Sequence, residues 1–172
     1  MSKSFVRLLI FSSLLLGLPA SILAVPMTQD PGGFLDIPWK VSLEGRKGVS
    51  PPEGAGRVKD YQLKLEPMSI GGVPVTSIRL VTIDGKFARA VVRYEGNKTH
   101  HDFLVKLQRW FGPLDRTPGQ LGAGTELLQQ QFTWRGEETE INVMYDADME
   151  QGVMYVDCRA LAPEFNQDLG GQ

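Results

Sequence analysis

The feature that most constrains this fold is an Asp-Gly pair between two β-branched runs. Asp84 and Gly85 separate "VTSIRLVTI" (75–83) from "KFARAVVRY" (86–94). Both central residues of a type I′ turn have positive φ, which Asp and Gly tolerate better than most residues. The pattern therefore predicts a tight antiparallel hairpin and a fold built around a sheet.

Alternating apolar and polar residues predict further strands on both sides of this hairpin. Tyr61, Leu63 and Leu65 alternate with polar residues before it. After it come the segments "LLQQQFTW", "TEINVMY" and "VMYVDCRAL". Cys158 lies in the last of these and is the only cysteine, so no intrachain disulfide can form, and we expect it to be a small buried hydrophobe.

One amphipathic helix is predicted between the two sets of strands. Thr99 and Asp102 form a variant capping box at its start, and Gly112 with Pro113 ends it. Its apolar face carries Phe103, Leu104, Leu107, Trp110 and Phe111. The predicted fold class is α+β, with an antiparallel sheet of about six strands in β-β-β-α-β-β-β order and the helix packed on a sheet face.

The first 24 residues are typical of a cleavable signal peptide. Lys3 and Arg7 precede an apolar stretch at Leu8–Leu18, and Ala24 lies at the expected cleavage position. This stretch is shorter than the roughly 20 residues that span a membrane, which argues against an uncleaved anchor. We then expect an extended segment and Gly/Pro-rich loop over 25–60, an α+β domain over 61–161 and a disordered tail over 162–172.

The leader predicts a location in the periplasm or outside the cell, with no stable membrane anchor after cleavage. The whole chain has a formal charge of −2. Loss of Lys3 and Arg7 with the leader makes the remainder more acidic, which argues against a nucleic-acid partner.

An acidic stretch near the C-terminus has part of a calcium-loop spacing. Its candidate ligands at loop positions 1, 3, 5 and 12 are Asp146, Asp148, Glu150 and Asp157. The sixth position is Gln151 instead of the usual glycine, and the flanking segments are predicted strands. A metal site and a solvated hairpin loop are both open interpretations.

The only two histidines, His100 and His101, are adjacent in the predicted helix. Neighbouring helical residues point about 100° apart, so the two rings do not converge easily on one metal. A hydrolase using one of them is an alternative. The sequence has no G-x-S-x-G, P-loop or H-E-x-x-H motif, so we assign no catalytic residue and no cofactor.

The segment "GGFLDIPW" (32–39) places four large apolar residues close to the leader. Pro38 restricts Ile37 to extended conformations. Phe34 and Trp39 are candidate binding residues if the segment is exposed, and anchors of the N-terminus if it is buried. Burial is favoured, because large exposed aromatic clusters are rare on soluble monomers.

Four motifs together resemble small secreted bacterial proteins of unassigned function. They are "GFLDIPW" at the entry, "DGKF" in the hairpin, "LVKLQRWFGP" at the helix end and the Phe132–Trp134 strand. The resemblance spans about 33–160 and implies a periplasmic, non-catalytic module, with no catalytic residue to carry over. This chain differs at 45–57, where a Gly/Pro-rich stretch replaces a helix.

We therefore expect a non-catalytic binding or interaction domain. A sheet face, or the loops Lys40–Asp60 and Leu114–Glu126, would contact an envelope or extracellular protein. The alternatives are a calcium-binding or other metal-binding protein and a hydrolase.

Overall fold

The computed structural model describes residues 24–54, 56–114 and 129–169. The predicted signal peptide lies outside them except for Ala24, and so does most of the predicted loop Leu114–Glu126. The described strands are β1 Val25–Pro26, β2 Gly33–Phe34, β3 Ile37–Pro38, β4 Val58–Gln62, β5 Ser69–Ile70, β6 Val73–Pro74, β7 Ser77–Ile83, β8 Lys86–Glu95, β9 Gln129–Arg135, β10 Thr139–Asp146 and β11 Gln151–Cys158. The described helices are α1 Asn97–Phe111 and α2 Ala162–Leu169.

Seven strands form one mixed sheet in the order β1-β9-β10-β11-β8-β7-β4. Strand β1 is parallel to β9, with Val25 beside Trp134, and the other neighbours are antiparallel. The predicted class, a six-stranded antiparallel sheet in β-β-β-α-β-β-β order with a single helix, is therefore wrong. Strand β1 is two residues long and contains Pro26, so no alternating pattern marks it, and its partner is distant in the chain.

The hairpin predicted at Asp84-Gly85 is confirmed. Ile83 pairs with Lys86 across a two-residue turn. Asp84 has a φ of 48° and Gly85 a φ of 75°, as a type I′ turn requires. This hairpin joins β7 and β8 in the middle of the chain, and the ten-residue β8 is the longest of the described strands.

Different elements cover the two faces of the sheet. Helix α1 packs on what we call the inner face, where the Phe103 ring lies 5.1 Å from that of Tyr94. Side chains alternate along β8, so Arg89 lies on the opposite, outer face. There the Arg89 guanidinium stacks 4.2 Å above the Phe165 ring of α2. The outer face beyond α2 has exposed side chains such as Met144.

The two ends of α1 differ in how well the sequence predicts them. The N-cap is Gly96 with no side-chain hydrogen bond, so the predicted capping box of Thr99 and Asp102 is wrong. The helix starts earlier than predicted, and the Asp102 carboxylate instead accepts a hydrogen bond from Lys98 at 2.6 Å. The predicted glycine end is confirmed, because the helix stops at Gly112 with φ 103°.

Both terminal regions contain more regular structure than their composition predicts. The segment 25–60 includes the hairpin of β2 and β3, and β4 begins at Val58, before the predicted strand start at Tyr61. Helix α2 occupies most of 162–172, which we predicted to be a disordered tail. Phe165 is its buried apolar anchor, and one such residue is too weak a signal to predict a helix.

Candidate functional site

The N-terminal hairpin, β2 and β3 with the turn between them, has an unusual pair of turn residues. Phe34 pairs with Ile37, and the turn residues Leu35 and Asp36 have φ values of 45° and 59°. Left-handed backbone costs an L-residue roughly 1–2 kcal/mol, and Asp tolerates it better than Leu. Leu35 is also 39% exposed, so its side chain does not hold the turn by deep burial.

Trp39 fixes the base of this hairpin in the core. Its ring packs 4.8 Å from that of Phe87, and its indole N–H donates to the Thr139 hydroxyl oxygen at 2.9 Å. The Asp30 carboxylate accepts from the backbone amide of Gly32 at 2.9 Å. Burial raises the pKa of Asp30, but the hydrogen bonds, first among them that of Thr139, outweigh burial and leave this pKa below its ordinary value.

An apolar groove opens beside the hairpin on the inner face. It is a cavity of about 240 Å³. One wall is the N-terminal hairpin, the second is the C-terminal half of α1, the third is the β5–β6 turn, and β10 and β11 form the floor. Its lining side chains include Phe34, Leu35, Ile70, Leu107, Trp110 and Met154. All of these are apolar, so the groove is suited to an apolar ligand.

Trp110 is positioned by a glycine on the opposite wall. Gly71 has φ 57°, and a Cβ atom there would lie 2.4 Å from the edge of the Trp110 ring. Only glycine allows this approach. Trp110 is partly exposed, whereas Trp39 and Trp134 are buried. The groove therefore contains the one tryptophan of the chain that a ligand in it can contact directly.

The two predicted binding residues lie in different places. Phe34 lines the groove although it is only 7% exposed. Trp39, also 7% exposed, supports the hairpin from the core and does not line the groove. The sequence motif therefore supplies both a wall and its anchor.

The acidic stretch forms the turn between β10 and β11. One Asp146 oxygen accepts hydrogen bonds from the amides of Asp148 and Met149, both at 3.0 Å. Glu150 accepts from the Asn97 side-chain amide at 3.0 Å. These carboxylates thus order the turn and the start of α1.

Asp157 lies at the far end of β11 from this turn, about 20 Å away by strand geometry. Its second carboxylate oxygen is 3.1 Å from Arg89 Nη2. Burial raises the pKa of Asp157 and outweighs the opposite effect of Arg89. The structure therefore does not bring Asp157 to the other three predicted calcium ligands, and no group of three or more possible metal ligands occurs among the described residues.

His100 and His101 point to different environments. His101 is exposed. His100 is 6% exposed, its Nδ1 atom is 2.8 Å from the Tyr94 hydroxyl, and its ring stacks on Tyr145 at 3.9 Å. Burial lowers the pKa of His100, and the neighbouring Gln130 side chain offsets this only in part. These contacts pack α1 on the sheet and join no carboxylate to the ring.

Several groove residues were not singled out by the sequence analysis. Leu35 was only part of an apolar motif, and Ile70 lies in a short strand that the pattern did not predict. Trp110 was assigned to the buried face of α1. Helical spacing shows on which face of the helix a residue lies, but it does not show which part of that face other elements cover. One signal in the sequence could have indicated the groove: Leu35 is a bulky residue in a two-residue turn. That turn can be recognised only when the pairing of Phe34 with Ile37 is known.

No protein-family model matches this chain, and no curated protein or solved structure matches it at a significant level. Among the residues that the structure describes, no helix has the length and apolar character needed to span a bilayer.

Proposed function

We propose that this chain is an exported, non-catalytic binding domain that takes a slender apolar chain, such as the acyl chain of an envelope component, into the apolar groove. The groove itself carries this proposal, because it is an apolar cavity of about 240 Å³ that the surrounding side chains leave open. A periplasmic or extracellular location is part of the proposal and rests on the leader sequence.

The size and chemistry of the groove support an apolar ligand. An engineered apolar cavity of about 150 Å³ in another protein stays dry and binds benzene, so a larger one admits a longer molecule. Transfer of apolar surface from water gains about 25 cal/mol per Å². Trp110 and Phe34 offer large contact areas for this purpose.

The turn of the N-terminal hairpin supports the same function. Leu35 lines the groove from a left-handed conformation that Asn, Asp or Gly adopts with less strain. Strained backbone positions occur preferentially at ligand-binding sites, where the surrounding structure maintains them. Contact with an apolar ligand would account for a leucine at this strained position, since the contacts of the free protein do not.

Titration with decanoate below its micellar concentration tests the proposal. We expect saturable binding at one site by calorimetry and a change in tryptophan fluorescence that Trp110→Phe abolishes. Leu35→Asn should weaken binding, whereas Val105→Asn should not. Val105 is a matched control, because it is 42% exposed and lies on the side of α1 away from the groove. Absence of saturable binding, or equal loss in both variants, would contradict the proposal.

A further inference from the structure

A second cavity lies on the outer face of the sheet, away from the apolar groove. Its volume is about 330 Å³, at the lower end of the usual range for small-molecule sites. Charged, amide and apolar side chains line this cavity, among them Arg93, Gln131, Met144, Asp146, Gln151 and Val153.

Strand register brings these side chains together. Met144 stands opposite both Gln131 and Val153, and Val153 stands opposite Arg93. This gives one row across four strands. Asp146 pairs with Gln151 in the adjacent row on the same face, because side chains two residues apart along a strand share a face.

The lining of this cavity carries one cation and one anion. Arg93 is exposed and makes no salt bridge or side-chain hydrogen bond with any residue that the structure describes. Asp146 is fixed by the two backbone amides that its Oδ1 atom accepts. Its Oδ2 atom makes no hydrogen bond within the described part of the chain. One guanidinium and one carboxylate oxygen are therefore available to a ligand.

The two charges lie far enough apart for a small molecule to fit between them. Arg93 is on β8 and Asp146 on β10, so two strand spacings, about 10 Å, separate their backbones across the sheet. The long arginine side chain can span part of this distance. Met144 and Val153 form an apolar floor between the charges, and the amides of Gln131 and Gln151 offer donors and acceptors.

We infer that this cavity binds a zwitterionic ligand of amino-acid size with an apolar side chain. The Arg93 guanidinium takes the ligand carboxylate, for which its planar fork is suited. The Asp146 carboxylate takes the ammonium group, and the ligand side chain lies on Met144 and Val153. This site is independent of the proposed function, because it lies on the opposite face from the apolar groove.

Calorimetric titration with leucine, methionine and valine, compared with N-acetylleucine and leucinamide, tests the inference. At least one free amino acid should bind, and both leucine derivatives should bind at least ten-fold more weakly than leucine. Arg93→Gln and Asp146→Asn should each weaken binding at least ten-fold. Asn retains the Oδ1 acceptor of the turn, so Asp146→Asn removes the charge and leaves the turn intact.

Arg79→Gln is the matched control, because Arg79 is an exposed arginine of the sheet outside this cavity. It should leave amino-acid affinity unchanged, and so should Leu35→Asn in the apolar groove. Thermal unfolding without ligand checks that each variant is folded. The inference is overturned if none of the three amino acids binds at millimolar concentration, if N-acetylleucine binds as well as leucine, or if Arg79→Gln has the same effect as Arg93→Gln.

Discussion

Two hairpins of this protein have positive φ at both turn positions and very different turn residues. Asp84 and Gly85 join β7 to β8 with φ values of 48° and 75°. Leu35 and Asp36 join β2 to β3 with values of 45° and 59°. The first pair favours the conformation by its own chemistry. The second contains a bulky residue that does not, so contacts elsewhere must hold it.

Those contacts lie at the base of the N-terminal hairpin. The Trp39 indole donates to Thr139, and Asp30 accepts from Gly32 and from the amide of Glu138. The central hairpin has long strands on both sides, and its turn contacts Arg57 at the surface: the Asp84 amide donates to the Arg57 carbonyl oxygen at 2.8 Å, and the exposed Arg57 guanidinium pairs with the Asp84 carboxylate. A turn formed against local preference therefore depends on tertiary contacts, and here such a turn lies at the rim of the apolar groove.

Removing the anchor should have the largest effect. Trp39→Ala deletes a buried ring that packs on Phe87 and should lower the free energy of unfolding by about 3–5 kcal/mol. Urea unfolding followed by circular dichroism measures this. Trp39→Phe is the milder control, since it keeps an aromatic ring beside Phe87 and loses the hydrogen bond to Thr139 together with part of the indole volume, so it should destabilise less than Trp39→Ala. A Trp39→Ala variant with unchanged stability would show that the hairpin is held in another way.

Exchanging the turn residues tests the central hairpin next. Asp84→Leu combined with Gly85→Asp places the N-terminal turn pair in the β7–β8 turn. This change should lower the free energy of unfolding by about 1–2 kcal/mol, because Leu is disfavoured at positive φ. The ion pair of Asp84 with Arg57 is also lost, but both side chains are 51% exposed and the pair contributes little. The single variant Asp84→Asn removes the charge of Asp84 and so measures the contribution of this ion pair alone.

The reverse change should have a smaller effect of opposite sign. Leu35→Asn should raise the free energy of unfolding by about 0.5–1 kcal/mol, because Asn tolerates the left-handed region. The same variant should bind decanoate roughly five-fold more weakly, as expected for a loss of about 1 kcal/mol. A gain in stability together with a loss of binding is the signature of a residue retained for function. Lower stability in Leu35→Asn would contradict this interpretation.

Local patterns predicted those parts of the fold that local chemistry determines. The Asp84-Gly85 turn and the end of α1 at Gly112 are examples, because each depends on residues adjacent in sequence. Strand β1 and the mixed sheet were not predictable in this way. Val25 pairs with Trp134, and no short-range pattern in either segment specifies the other.

The candidate sites were harder to predict than the fold. Phe34 was identified as a candidate binding residue, yet the groove also needs Trp110 and Ile70 from other parts of the chain. The outer-face cavity depends on cross-strand register, which places Arg93 and Asp146 on one face although they are distant in sequence. Alternation along a strand predicts on which face of the sheet a side chain lies. It does not predict which side chains of other strands lie beside it, because these depend on strand order and register.

The smallest expected effect is a difference between the two hairpins in how the free energy of unfolding depends on pH. The pKa of Asp30 is below its ordinary value of 3.8, so its contribution to stability is complete above about pH 4 and is lost as the pH falls through the folded-state pKa. Asp30→Asn should therefore be less stable than the unchanged protein at neutral pH, and the difference should shrink below about pH 4. Asp84 is the control. The hydrogen bond from Arg57 also lowers the pKa of Asp84, but both side chains are exposed and solvent screens the pair, so Asp84→Asn should show a smaller pH-dependent difference than Asp30→Asn. Urea unfolding between about pH 7 and pH 2 measures both variants. If the loss of stability depended on pH equally in Asp30→Asn and Asp84→Asn, the prediction would be wrong. Asp30 would then stabilise the N-terminal hairpin no more than Asp84 stabilises the central hairpin.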